Sequence, residues 1–146
     1  YALRHGAKKV FAVDVGTDQL HPSLRDNERI ELHEKTDIRD FTLAAAPDIV
    51  VMDVSFISLR EILPHIANLV DTHTQIVAMV KPQFEAGRHQ VSKGVIKNNA
   101  MRRDILKDFE QWTKDYFAVQ DKRDSEVAGA KGNQERFYLL RLLAIK

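Results

Sequence analysis

The sequence contains no cysteine, which excludes disulfide bonds and thiolate metal sites. It has no apolar run near the roughly 20 residues that a membrane-spanning helix needs, and no secretory signal opens the chain. Its six histidines are scattered without metal-ligand spacing, and no glycine-rich phosphate loop is visible. We therefore expect a cytoplasmic protein that has no metal site and no membrane partner.

An excess of either charge is also lacking, because 22 basic residues face 21 acidic residues and the net charge is +1. This balance neither requires nor excludes a nucleic-acid partner, which would have to bind a local basic patch. The first nine residues, "YALRHGAKK", are typical of the end of a helix that Gly6 stops. A helix that starts midway indicates an excerpt from a longer protein.

Apolar runs alternate with helical patterns along the chain. Strands are predicted over residues 9–14, 29–34, 49–52 and 76–80, and a closing hairpin over 117–127 and 136–145. The pattern favours a short helix within 17–27, a loop and a helical turn over 37–47, and amphipathic helices over 58–70 and 100–116. We expect an α/β fold with a mostly parallel sheet, helices on both faces and one antiparallel strand at the end.

Three charged residues follow directly after predicted strands: Asp14, Asp53 and Lys81. Ligands of open α/β sheets bind outside the carboxyl ends of the strands, so these positions indicate a site. Asp14, which Val15 follows, suits the hydroxyls of a nucleotide ribose, although a helix cap explains it equally well. Asp53 follows four apolar residues that we expect to be buried, so its carboxylate needs a partner.

Lys81 is the natural partner of Asp53 if their two strands are neighbours. The pair is then either a simple salt bridge or a lysine whose charge is tuned to accept a proton from a hydroxyl. Glu135 begins the last predicted strand, and an antiparallel course would bring it to the same edge of the sheet. An exposed turn residue is the alternative for Glu135.

The segment between residues 85 and 99 has no periodic pattern and reads as a surface loop. It is basic, with Arg88 and Lys93 close in sequence to Lys81. Such a loop is either solvated surface or a contact for a phosphate backbone.

Four segments, "KKVFAVDVG", "PDIVVMDVSFISL", "MVKPQFEAG" and "GNQERFYLL", resemble in this order the hemolysin A (TlyA) group of FtsJ-like ribosomal RNA methyltransferases. The succession of "DVSFISL" and "KPQFEAG" is the most specific part, and the resemblance covers essentially the whole chain. It implies a Rossmann-like sheet of seven strands that binds S-adenosylmethionine and ends in an antiparallel strand. It also implies methyl transfer to a ribose 2′-hydroxyl of ribosomal RNA, free or in a ribosomal subunit.

The resemblance assigns roles to particular residues. FtsJ-like enzymes use a Lys-Asp-Lys-Glu set, of which Asp53, Lys81 and Glu135 match the last three members. The first lysine, the first strand with its glycine-rich cofactor motif, and the S4-type RNA-binding domain of the family are not found in residues 1–146. We therefore expect one FtsJ-like methyltransferase domain over residues 1–146 that is incomplete at its N-terminus.

The cofactor positions are implied in the same way. Asp14 and Val15 match the segment that holds the ribose of the cofactor, and Asp37 and Ile38 match the segment beside its adenine. Asp53 matches a residue near the sulfonium group.

Two other classes of function remain open at this point. A strand that ends in Asp14 is shared with NAD-dependent oxidoreductases, and cofactor binding distinguishes the two classes. The hemolysin name raises a non-catalytic role, in RNA binding or in membrane lysis, although no segment is amphipathic enough to insert into a membrane.

Overall fold

A computed structural model of the chain describes residues 1–87, 95–96, 98–129 and 132–144. They form two compact units, Tyr1–Thr42 and Leu43–Lys146. The strands are β1 (Val10–Val13), β2 (Ile30–His33), β3 (Ile49–Met52), β4 (Gln75–Val80), β5 (Phe117–Asp124) and β6 (Arg136–Leu142). The α-helices are α1 (Pro22–Arg25), α2 (Leu59–Leu69), α3 (Pro82–Glu85) and α4 (Asn99–Thr113).

The first unit contains a parallel pair of strands, β1 and β2, in which Val10 pairs with Ile30. The predicted helix end is a 3-10 helix over Ala2–His5. Gly6 closes it with a φ of 97°, in the left-handed region that glycine enters without steric cost. These elements confirm the two predicted strands of this unit.

The second unit contains a four-stranded sheet in the order β3-β4-β6-β5. β3 and β4 are parallel, whereas β6 runs antiparallel to both β4 and β5. The predicted closing hairpin and its antiparallel last strand are therefore confirmed. The order also confirms that β3 and β4, which precede Asp53 and Lys81, are neighbours.

Helix α4 packs on one face of this sheet. Helices α2 and α4 are in contact, since Arg60 of α2 donates from Nη2 to the Asp108 carboxylate of α4 at 2.7 Å. Phe109 of α4 packs on Tyr138 of β6 with 5.5 Å between ring centroids. The buried apolar residues of the described sheet alternate along β4 and β6, and those of the four strands are Met52, Ile76, Ala78, Val80, Phe117, Tyr138 and Leu140.

The opposite face of the four-stranded sheet is more open than predicted. In β3 only Met52 is buried, while Ile49 is 58% exposed and Val51 is 74% exposed. The expectation of four buried residues before Asp53 is wrong. The reason is that β3 is an edge strand of the described four-stranded sheet, with β4 on one side.

Candidate functional site

Lys81 and Asp53 form the centre of the candidate site. Parallel pairing of β3 with β4 brings their carboxyl ends to one edge, and each residue directly follows its strand. The Lys81 Nζ lies 2.6 Å from Oδ1 of Asp53, and the side chains are 12% and 64% exposed, respectively. A largely buried amine is thus paired with a carboxylate that opens to solvent.

Ser55 supplies a second contact to the same amine. The Lys81 Nζ donates to the Ser55 Oγ at 2.9 Å. A lysine ammonium has three N–H bonds, so Asp53 and Ser55 account for two of them.

Glu135 lies at the same edge of the sheet. The last pair between β4 and β6 joins Val80 to Arg136, and Lys81 and Glu135 are the next residues on the two strands. The backbone of Glu135 is fixed because its carbonyl accepts the Ser125 N–H at 2.9 Å. Within the described residues, however, the Glu135 carboxylate makes no ion pair with Lys81.

Gly129 makes room for the Glu135 side chain. A Cβ atom on this glycine would lie 3.0 Å from Oε1 of Glu135, closer than ordinary packing allows. Glu135 itself is buried. The glycine in the loop before β6 therefore allows the carboxylate to fold inward rather than out to solvent.

Asp14 lies at the carboxyl end of β1, as predicted. Its Oδ1 accepts the Gly16 N–H at 2.7 Å, which holds the turn that contains Val15. The Asp14 carbonyl accepts the Thr36 N–H at 3.0 Å, so the segments after β1 and β2 are joined. The Asp14 carboxylate and the Val15 side chain are exposed.

Asp37 and Ile38 lie in the segment after β2. Asp37 begins a 3-10 helix over Ile38–Asp40, and its Oδ1 accepts the Arg39 N–H at 2.9 Å. The Arg39 guanidinium also binds both carboxylate oxygens, at 3.0 and 2.7 Å. Asp37 therefore shapes its own loop, and Ile38 is half-buried beside it.

The other predictions concern the RNA-binding residues, a metal site and a membrane-spanning helix. Arg88 and Lys93 lie outside the residues that the structure describes. Within the described ranges, no group of histidine, aspartate and glutamate side chains is arranged to hold a metal ion. In the same ranges, no helix has both the length and the apolar character needed to cross a membrane.

Sequence reasoning missed two residues beside Lys81. Phe56 is 90% exposed and has a φ of 66°, a strained conformation for a large side chain. Its ring lies 5.3 Å from that of Phe84, which follows Lys81 in α3.

Glu85, at the end of α3, has a side chain that is only 1% exposed. Burial raises the pKa of the Glu85 carboxyl, although bonds from Ser58 and the Leu59 N–H counteract this effect.

Comparison with known proteins identifies the family of this chain. The family model for FtsJ-like methyltransferases matches residues 1–142. The chain is 40% identical over 139 residues to the 23S rRNA (cytidine-2'-O)-methyltransferase TlyA of Campylobacter jejuni, which covers 93% of the chain and 54% of that protein. It is 39% identical to Hemolysin A of Brachyspira hyodysenteriae, over 91% of the chain and 58% of that protein.

A solved structure from Streptococcus thermophilus with a provisional hemolysin name is also similar. It has a TM-score of 0.91 and 37% identity, and the match covers 96% of this chain and 53% of that one. The chain thus spans about half the length of the curated relatives that it matches. These relatives give no support to the oxidoreductase alternative. The chain belongs to the FtsJ-like methyltransferase family.

Proposed function

We propose that this chain is the catalytic part of an S-adenosylmethionine-dependent methyltransferase that acts on a ribose 2′-hydroxyl of ribosomal RNA. The observation that carries the proposal is the 2.6 Å pair between Lys81 and Asp53 at the carboxyl edge of the sheet. The name of the Campylobacter jejuni relative gives the same reaction class for that protein. Ribosomal RNA as the substrate would place the protein in the cytoplasm.

Lys81 has the position and chemistry of the general base. A ribose hydroxyl is a poor nucleophile until its proton is drawn away, and a positioned amine that has lost its own proton can accept it. Asp53 then stabilises the ammonium that forms, and Ser55 fixes the direction of the amine through the 2.9 Å bond. Glu135, one step beyond the pairing of β4 with β6, adds negative charge to this edge.

The residues after β1 and β2 fit the cofactor that the family implies. When bound, S-adenosylmethionine supplies a methyl group that is activated by a sulfonium. The exposed Asp14 carboxylate can accept hydrogen bonds from a ribose diol, because the Gly16 N–H engages only one of its oxygens. Val15 presents an exposed apolar side chain next to it, and Asp37 holds the loop that includes Ile38.

RNA contacts are proposed for Phe56 and for the basic residues Arg88 and Lys93. The exposed ring of Phe56 suits stacking on an unpaired base, a common mode of single-stranded RNA recognition. Arg88 and Lys93, which follow α3 in sequence, are proposed to bind phosphates. Both contacts would position a ribose rather than take part in the chemical step.

We also propose that an upstream segment completes the domain. The resemblance predicts one sheet, whereas the described strands form a two-stranded and a four-stranded sheet. The edge position of β3 and the exposure of Ile49 and Val51 are features of a sheet that lacks a neighbouring strand and its helix. The isolated chain is therefore expected to bind the cofactor less tightly than a chain that includes this segment.

The decisive experiment compares the chain alone with the chain placed in the matched segment of the Campylobacter jejuni relative. Calorimetry measures S-adenosylmethionine binding, and tritiated cofactor with ribosomal subunits measures transfer. We expect 2′-O-methyl nucleosides by mass spectrometry in the chimera, and a Phe56→Ala variant of it should bind RNA about tenfold more weakly. Cofactor binding without any ribose methylation would overturn the proposal.

A further inference from the structure

The buried carboxylate of Glu85 joins the two segments that carry the candidate catalytic residues. Lys81 belongs to the start of α3, and Asp53 and Ser55 belong to the loop between β3 and α2. Direct contact between these segments occurs at Lys81, which reaches Asp53 at 2.6 Å and Ser55 at 2.9 Å. Glu85 makes a separate connection at the far end of the same loop.

Both oxygens of Glu85 are used in this connection. Its Oε2 accepts a hydrogen bond from the Ser58 hydroxyl at 2.6 Å, and its Oε1 accepts the Leu59 N–H at 2.7 Å. Ser58 is the N-cap of α2, where it accepts the Arg60 N–H at 3.1 Å. The guanidinium Nε of Arg60 lies 3.5 Å from Oε2 and balances part of the charge.

Glu85 is rigidly coupled to Lys81 through a single turn of helix. The Lys81 carbonyl accepts the N–H groups of Phe84 at 2.9 Å and of Glu85 at 3.3 Å. The direction of the Glu85 side chain is therefore set by the same residue that carries the amine. The Glu85 bonds to Ser58 and Leu59 thus hold the end of the loop from Asp53 to Ser58 against the turn of Lys81.

Phe56 lies between the two connections. Its ring contacts Phe84 at 5.3 Å, and its φ of 66° is a strained conformation that surrounding bonds have to maintain. The bonds of Lys81 to Ser55 precede it, and the bonds of Glu85 to Ser58 follow it. The loop is thus held on both sides of its strained residue.

We propose that Glu85 is a positioning residue that clamps the loop between Asp53 and Ser58 against the turn of Lys81, and so keeps the Lys81 amine aligned for methyl transfer. This inference rests on the proposed function of Lys81 as the base. Glu85 acts through this loop and has no contact with reacting atoms. Its effect is therefore expected on kcat and not on cofactor affinity.

The test uses graded variants of the chimera. Glu85→Ala removes both acceptors, and we expect kcat to fall about 100-fold, the loss that a misplaced reacting group can cause. Glu85→Gln keeps the shape and one acceptor oxygen, so it should restore most of the loss and leave kcat within about tenfold of the unmodified protein. The dissociation constant for S-adenosylmethionine should stay within about twofold in both variants.

Asp71 offers a matched control at the other end of β4. Its Oδ1 accepts the His73 N–H at 2.7 Å and the Thr74 N–H at 3.1 Å, so it is also a carboxylate that caps backbone groups. Asp71→Ala should lower the melting temperature without lowering kcat. An equal loss of kcat in Asp71→Ala and Glu85→Ala would overturn the proposal, because general destabilisation would then explain both.

A second readout does not depend on activity. In the chain labelled with ¹⁵N, the Lys81 Nζ signal should be visible because its bonds to Asp53 and Ser55 slow proton exchange. We expect this signal to broaden or vanish in Glu85→Ala and to persist in Asp71→Ala. A signal that is unchanged in Glu85→Ala overturns the clamp. Absence of methyl transfer in the unmodified chimera would instead overturn the proposed function.

Discussion

Two ion-pair clusters in the second unit differ in the cation that they use. At the edge of β3 and β4, a lysine, Lys81, pairs with an exposed carboxylate and a serine hydroxyl. Where α4 contacts β5 and β6, two arginines, Arg102 and Arg136, both donate to Oδ1 of Asp124 at 2.6 Å. The first cluster joins two loops, whereas the second joins α4 to the closing hairpin.

Under the proposed function, the difference separates a proton acceptor from a fixed charge. Arginine stays protonated in proteins, so a carboxylate between two arginines is a fixed charge. Bonds from Arg136, followed in effect by Arg102, lower the pKa of the Asp124 carboxyl to about 2. Lysine can lose its proton when its surroundings favour the neutral form. In the proposed function, the Lys81 cluster therefore supplies the proton acceptor, whereas the Asp124 cluster supplies a fixed structural charge.

The largest difference between the two clusters is expected when Lys81 is replaced. Lys81→Ala should lower methyl transfer by about 100-fold to 10,000-fold, the usual contribution of a general base. Lys81→Arg should fail to restore it, because guanidinium does not accept the proton. Cofactor affinity, measured by calorimetry, should be nearly unchanged. A parallel loss of affinity would indicate that Lys81 has a structural role instead.

Removing an arginine from the second cluster should have a smaller effect of a different kind. Arg102 is buried and also donates from Nε to the Gln134 carbonyl at 2.9 Å. Arg102→Met should lower the free energy of unfolding by about 1–3 kcal/mol, since it leaves buried acceptors unsatisfied. Urea unfolding measures this loss, and Arg103→Met, an exposed neighbour in α4, should be close to neutral. A loss of kcat without a loss of stability would contradict this assignment.

The smallest expected effect concerns acid stability. The pKa of Asp124 is lowered in the folded protein, so the stability it provides is complete above the ordinary aspartate range and is lost as the pH falls towards about 2. Asp124→Asn should flatten the decline of stability between about pH 4 and pH 2. Asp121→Asn, on the same strand, serves as the control. If stability declines with falling pH in both variants as it does in the unmodified protein, this prediction about Asp124 is wrong.

The sequence predicted the meeting of Lys81 and Asp53 on the condition that their two strands are neighbours, and the sheet order meets this condition. Two apolar runs ended in charged residues, and neighbouring parallel strands bring their ends to one edge. The edge position of Glu135 followed from an antiparallel last strand. Local patterns indicated where the strands end, whereas the order of the strands, on which both inferences depend, was known only from the structure.

Other features depend on contacts that no local pattern contains. The exposure of Ile49 and Val51 is decided by what covers the sheet, and an apolar strand reads as buried whether or not a helix packs on it. The left-handed backbone of Phe56 opposes the preference of a phenylalanine, so propensity predicts against it. Burial of Glu85 requires Ser58 and Leu59, which are distant in sequence.

Lys81 is both the residue after β4 and the N-cap of α3. Its backbone is therefore anchored to the central part of the sheet and to the first turn of a helix at once. The only freedom left to the amine lies in the rotations of its own four-carbon side chain, which Asp53 and Ser55 restrict. The sheet thus acts as the frame of reference for the Lys81 amine, whose position depends on the strands more than on the loops around it.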